Sequence, residues 1–305
     1  MRIRLGINTC FAVKRWPRPI DWATVVRDDL GLELVELSLD LLPDIDIAHL
    51  RRRAVAETRA ALAATGLTAV GTFTGLVAYS RNLLLHPDLE ARRDALRWYE
   101  TVVDVSAELG LAGTGGHVGA YSVLDWQDRR VRAERWAGLK VDLATLARYA
   151  RRSGLEYLLI ENLVPEREPA SMAQVADLLT AGDDEHVPIR FCLDLGHECV
   201  PGAQGSELDP YAWLARFGAE LAEVQLQQSD AADDHHWTFT AEHNRLGRIE
   251  AGRVLDTLMA SGASDVILML EVIPSWQQPD DELRAELAAS VDYWRRAIIG
   301  RGLTA

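Results

Sequence analysis

Four apolar runs in the second half of the chain end in polar residues of one chemical kind. "EYLLIEN" ends in Glu161 and Asn162, "IRFCLDL" carries Asp194, "AEVQLQQ" carries Gln225 and Gln227, and "DVILMLEV" carries Glu271. A single carboxylate at the tip of an apolar run is ordinarily a helix cap or a solvated charge. Three carboxylates and an amide gathered in one water-poor cup are different, because the carboxylates repel and their pKa values rise. A divalent cation removes that cost. Oxygen-rich ligation suits Mn or Mg, with Co also acceptable.

Other residues can serve such a centre. In "FCLDLGHECV", Gly196 is read as the sharp turn that follows Asp194, and His197 comes next. His117 follows Gly115-Gly116 in "GTGGHVG", where a glycine-rich strand lets a ligand approach, and is taken to touch substrate. Lys14 and Arg15 follow the first apolar run; Lys14 is placed to meet a carboxylate or phosphate. "DAADDHHWTF" brings His235 and His236, as acid–base groups or as part of a lid. Trp16, Trp237 and Trp276 offer aromatic walls for the apolar faces of a small polyol. Cys10 and Cys199 have no evident base partner and read as small buried residues.

The elements that must position these residues follow from periodicity. Strand-like runs fall at 3–9, 32–39, 67–74, 112–118, 156–162, 189–195, 222–228 and 265–272. Between them lie helical patterns near 20–30, 47–65, 88–109, 128–152, 170–182, 208–217, 250–262 and 279–299. Eight strand–helix units over 305 residues, with no linker, predict a single (β/α)8 TIM barrel domain spanning 1–305. A doubly wound sheet would show a glycine-rich phosphate loop after its first strand, and "GINTCFAVKRW" has none. In a barrel the site forms at the C-terminal strand ends, where the four polar tips lie.

"LLIEN", "CLDLGH", "VQLQ" and "LMLEV" resemble, in order and spacing, the metal sites of the xylose isomerase-like barrels, which include ketose 3-epimerases, hydroxypyruvate isomerase and inosose dehydratase. "NRLGRIEAGRVLDTL" resembles the glycine-rich lead-in to the family's seventh helix. The likeness runs through all eight units. It implies that Glu161, Asp194, Gln227 and Glu271 are metal ligands and that His197 binds substrate or supports the ligands. Glu161 and Glu271 would be the acid–base pair. The family often has His where this chain has Gln227, a departure that makes the site harder and less suited to zinc. Its epimerases carry a substrate-binding Arg shortly after that ligand; here Asp233 falls near the spacing, and Arg248 or Arg245 would have to serve.

The resulting expectation is a divalent-metal-dependent isomerase or epimerase acting on a keto-sugar or sugar-acid derivative through a metal-bound enediolate. The alternative is a lyase of the same fold, decarboxylating or eliminating from a 3-oxo sugar or 3-oxo sugar acid. A net charge of -14 and a pI near 5.0 speak against nucleic acid or an acidic membrane as partner, and against a DNA-repair endonuclease of this barrel type. A non-catalytic sugar binder would have no need of metal-type ligands at one rim. Three cysteines without zinc spacing, no signal peptide and no long apolar span point to the cytoplasm. The resemblance further implies a homodimer or tetramer.

Overall fold

The computed structural model describes residues 1–42, 44–182, 185–200 and 202–304. Its strands are β1 (Arg2–Asn8), β2 (Leu34–Ser38), β3 (Thr68–Phe73), β4 (Gly113–Gly116), β5 (Tyr157–Glu161), β6 (Ile189–Asp194), β7 (Leu221–Leu226) and β8 (Asp265–Leu270). They close into one barrel in sequence order. β1 pairs in parallel with both β2 and β8, as expected of a barrel whose ends meet.

The helices are α1 (Pro19–Thr24), α2 (Ala48–Thr65), α3 (Leu76–Tyr79), α4 (Leu89–Leu109), α5 (Val123–Gln127), α6 (Arg129–Ser153), α7 (Met172–Leu178), α8 (Pro210–Phe217), α9 (Ala241–Leu246), α10 (Ala251–Ala260) and α11 (Asp280–Ile299). The long ones begin and end where side-chain chemistry dictates. Asp88 accepts from the backbone N–H groups of Glu90 and Ala91 at the start of α4, and Asp128 does the same for Arg130 and Val131 at the start of α6. The helix expected over 20–30 is α1 followed by a π-type turn at Val25–Asp29. The short helices α3, α5 and α9 follow β3, β4 and β7 and were not evident from periodicity.

Backbone contacts divide the chain into two compact units. The first comprises Met1–Leu37, Glu57–Ala69 and Cys192–Ala305. Its core includes Trp22, Trp213, Trp294 and Phe239, with Phe239 edge-on to Trp294 at a centroid distance of 5.2 Å. The second comprises Ser38–Ala56 and Val70–Phe191. There Leu39, Leu42, Ile45 and Val55 pack against Val102 and Val105 of α4. Burying each such side chain contributes about 1.5–3 kcal/mol.

Candidate active site

Successive strand residues point to opposite faces, so Glu223 and Gln225 share one face of β7, and Gln227 follows just past its end. In the first unit these join the tips of β6 and β8. Gln225 Nε2 donates to Glu271 Oε1 at 3.1 Å. Gln227 Nε2 faces both oxygens of Asp194 at 3.2 Å and Asp234 Oδ1 at 2.6 Å. Its Oε1 accepts the backbone N–H of His236 at 2.7 Å. His197 Nε2 lies 3.3 Å from Asp234 Oδ2 and 3.6 Å from Asp194 Oδ2. His236 Nε2 lies 3.3 Å from Asp234 Oδ1, and its Nδ1 lies 3.7 Å from Glu271 Oε2. Asp194, His197, Gln227, His236 and Glu271, each singled out from the sequence, therefore form one cluster. Asp234 is the member that sequence reasoning missed.

Two local devices hold the cluster. Gly196 lies in the turn that follows β6, as expected, with a φ outside the left-handed region. It is glycine because an added Cβ would lie 2.3 Å from Gln227 Cδ, and its N–H donates to Asp194 Oδ1 at 2.6 Å. The loop after β7 is pinned by a two-way backbone bridge between Gln228 and Trp237. Next to that bridge His236 sits in the left-handed region at φ 49, a costly conformation for a side-chain-bearing residue.

Burial pushes the Asp234 carboxyl up, but the charges of His197 and His236 outweigh it and hold Asp234 far below the usual carboxylate range. His236 is raised despite its burial, mainly by Asp234. Glu198, beside His197, is buried and has no hydrogen-bond partner for either carboxylate oxygen among the described residues. Burial first, then the Asp194 charge, pushes it well above the usual range.

Glu161 and His117 belong to the second unit. Glu161 is buried at the end of β5 and accepts from Tyr79 Oη at 2.5 Å. His117 is wholly buried, its ring stacked on that of Tyr79 with centroids 4.9 Å apart. Its Nδ1 lies 3.9 Å from Glu168 Oε2, and burial lowers its pKa to about 4. It is a neutral ring behind Tyr79, not a group at an open surface.

The remaining candidates have partners of their own. Lys14 is exposed, at φ 63, with Nζ 4.3 Å from the Trp276 ring centroid. The Arg248 guanidinium donates to the Leu208 carbonyl. Trp237 is stacked between His235 and His243, and Trp16 tilts against Phe11. Cys10 is buried, and burial raises the Cys199 thiol to about 11, so neither is poised as a nucleophile.

The acidic tips at the C-terminal ends of consecutive barrel strands agree with one further observation. The family model described as xylose isomerase-like TIM barrel matches residues 27–297. The chain belongs to that family. Among proteins similar to this xylose isomerase-like barrel is D-erythrulose 1-phosphate 3-epimerase from Brucella abortus (strain 2308), 29% identical over 301 residues and covering 96% of each chain. A Rhodospirillum rubrum protein provisionally assigned as a xylose isomerase matches with a TM-score of 0.88 and 31% identity, over 99% of this chain and 100% of that one. D-Psicose 3-epimerase from Clostridium cellulolyticum H10 shares the fold, with a TM-score of 0.69 and 17% identity over 96% and 99% of the two chains. Among the described residues no helix is long and apolar enough to cross a membrane.

The donor chemistry of this xylose isomerase-like barrel fits a divalent cation. One ligand atom each from Asp194, His197 and His236 lies within 4.8 Å of the others. Glu271 adds a carboxylate beside His236. The carboxylates of this cluster face the two histidines, the amides of Gln225 and Gln227 and the Gly196 N–H, and a cation would relieve their mutual repulsion.

Proposed function

We propose that the chain is a metal-dependent sugar epimerase that inverts C3 of a ketose, with a ketose 1-phosphate as substrate. The observation that carries this reading is the cluster of buried Asp194, Gln227 and Glu271 at the ends of β6, β7 and β8, with half-buried His236 from the loop after β7. The activity named for the Brucella abortus relative, similar along almost the whole chain, supports 3-epimerisation over the lyase alternative.

Asp194, Gln227 and Glu271, with Glu161 from β5, would hold Mn or Mg. When bound, the metal supplies Lewis-acid polarisation of the ketone oxygen. Gln227 Oε1 accepts the His236 N–H, and its second lone pair is the one it would offer to the metal. Glu271 and Glu161 exchange the proton: one carboxylate takes the proton from C3, the electron pair moves onto the C2 oxygen, and the other returns a proton to the opposite face. Gln225 keeps Glu271 oriented through its Nε2. His197 and His236 contact the substrate oxygens, and Asp234 fixes both rings. Lys14 and Arg248 serve the distal, anionic end of the substrate, and His117 acts indirectly, through Tyr79 on Glu161. The active form is a dimer or tetramer in the cytoplasm.

The test is incubation with D-erythrulose 1-phosphate and Mn2+ in D2O, followed by NMR. C3 is the one stereocentre of this tetrulose, so turnover gives the L form, with deuterium entering C3. No deuterium at C3 in this substrate or in free ketoses, with Mn2+ or Mg2+, would overturn the reading.

A further inference from the structure

We propose that Tyr79 is a positioning residue: its phenol fixes the orientation in which Glu161 works, and the stacked His117 ring fixes Tyr79. The proposal deepens the reading of Glu161 as ligand and acid–base group, and rests on it.

The second unit contains a complete mechanical chain leading to Glu161. Asp40 accepts the backbone N–H of Leu76 at 2.7 Å and that of Val77 at 3.3 Å, tying down the start of the one-turn helix α3. Tyr79 is the last residue of that turn. Its hydroxyl donates to Glu161 Oε2 at 2.5 Å, within the range of a hydrogen bond from a hydroxyl to an ionised acceptor. With Oε2 engaged by the phenol, the Glu161 carboxylate is held in one orientation.

The Tyr79 ring is itself held from beneath by His117, the two planes only 19° from parallel. His117 is fixed by its backbone as well as by its ring. Its N–H donates to Thr74 Oγ1 at 2.8 Å, and its carbonyl accepts from the Tyr99 hydroxyl. Gly116, just before it, stands at φ +120 with an added Cβ only 2.0 Å from Thr74 Oγ1, so that approach is open to glycine alone. The ring nitrogens face the Arg81 carbonyl at 3.4 Å and Glu168 at 3.9 Å. The wholly buried imidazole is covered by one tyrosine, and hydrogen bonds at its backbone N–H and carbonyl fix its residue in place. What it can do is stop the tyrosine from turning.

Tyr79→Phe keeps the ring and its stack on His117 and removes only the hydroxyl. Loss of a group that orients a ligand or catalytic carboxylate typically costs about 10–100-fold in metal affinity or activity. The experiment measures three quantities on wild-type chain and Tyr79→Phe: Mn2+ affinity by calorimetric titration of the metal-free chain, kcat and KM on D-erythrulose 1-phosphate at saturating Mn2+, and the unfolding midpoint without metal. The expected result is a fall of that size in Mn2+ affinity or in kcat, with KM within about twofold. A merely structural tyrosine would lower the unfolding midpoint and leave affinity and kcat where they were, which overturns the proposal. If wild-type chain binds Mn2+ but turns over no ketose, the proposed function fails, and the change in Mn2+ affinity alone decides the role of Tyr79. If wild-type chain binds no Mn2+, both fall.

Discussion

Nε2 of Gln227 lies 3.2 Å from each oxygen of Asp194, so the amide presents its donor side to the carboxylate, while its oxygen serves the His236 backbone. Exchanging the donor and acceptor sides of this amide would cost a hydrogen bond worth about 0.5–1.5 kcal/mol. Gln227→His places a softer nitrogen donor at the same point. It is expected to shift the Zn2+/Mn2+ preference toward Zn2+ by about tenfold or more, about 1.4 kcal/mol. Competition calorimetry with the two ions checks it; an unchanged ratio would show that residue 227 does not touch the metal.

Gly196 ties the same amide to β6. A methyl group there would meet Gln227 Cδ at 2.3 Å, and the other near atoms are Gln227 Nε2 and Oε1. Gly196→Ala must therefore push the Gln227 side chain away from Asp194. Overpacking of this kind costs about 1–3 kcal/mol, read as a lower urea midpoint. The double variant Gly196→Ala with Gln227→Ala is expected to lose much less than the sum of the two single losses, because the colliding group is gone. Additive losses in that cycle would mean that Gly196 is needed for something other than room for Gln227.

The barrel was legible because its signal is repeated and physical. Apolar β-branched runs alternate with amphipathic ones, and each of the eight strands lies within two residues of the run that predicted it. The cluster at β6, β7 and β8 was legible for the same reason: a polar tip on an apolar run is conspicuous. Tyr79 was not, because it closes "GLVAY", an apolar stretch too short for any period, and its value depends on Asp40 capping a single turn. Asp234 was hidden by "DDHH", in which four polar residues look alike. Only the Gln228–Trp237 bridge and the left-handed His236 select Asp234 and His236 to face inward, while His235 turns out to stack on Trp237.

Glu271 Oε1 accepts a hydrogen bond from Gln225 Nε2, and His236 lies close by. If it moves the C3 proton, Glu271→Gln should lower kcat by about 10²–10⁴-fold, the usual contribution of general acid–base catalysis. Deuterium uptake at C3 should fall with it. The measurement is the rate of C3 exchange in D2O at saturating Mn2+, where metal loss is compensated. Exchange at the wild-type rate would leave Glu271 as a ligand only.

Below the cluster the first unit buries a second pair of carboxyl groups, Glu36 of β2 and Glu223 of β7. Asn8 Nδ2 donates to Glu36 Oε2 at 2.8 Å, and Cys192 Sγ lies 3.8 Å from Glu223 Oε1. Burial first, then the charge of Glu223, pushes Glu36 well above the usual carboxylate range. The folded chain thus keeps a proton that the unfolded chain releases at about pH 4.3. Its contribution to stability is full below that pH and is lost as pH rises through the folded-state value. The loss amounts to about 1.4 kcal/mol for each unit by which the pKa is raised. Glu36→Gln supplies a permanently neutral group that can still accept from Asn8 and can donate to Glu223. Urea unfolding of the metal-free chain at pH 5, 7 and 9 should show wild-type stability falling across the range and the variant profile markedly flatter, with the variant gaining most at pH 9. Parallel profiles would mean that Glu36 carries no proton at neutral pH.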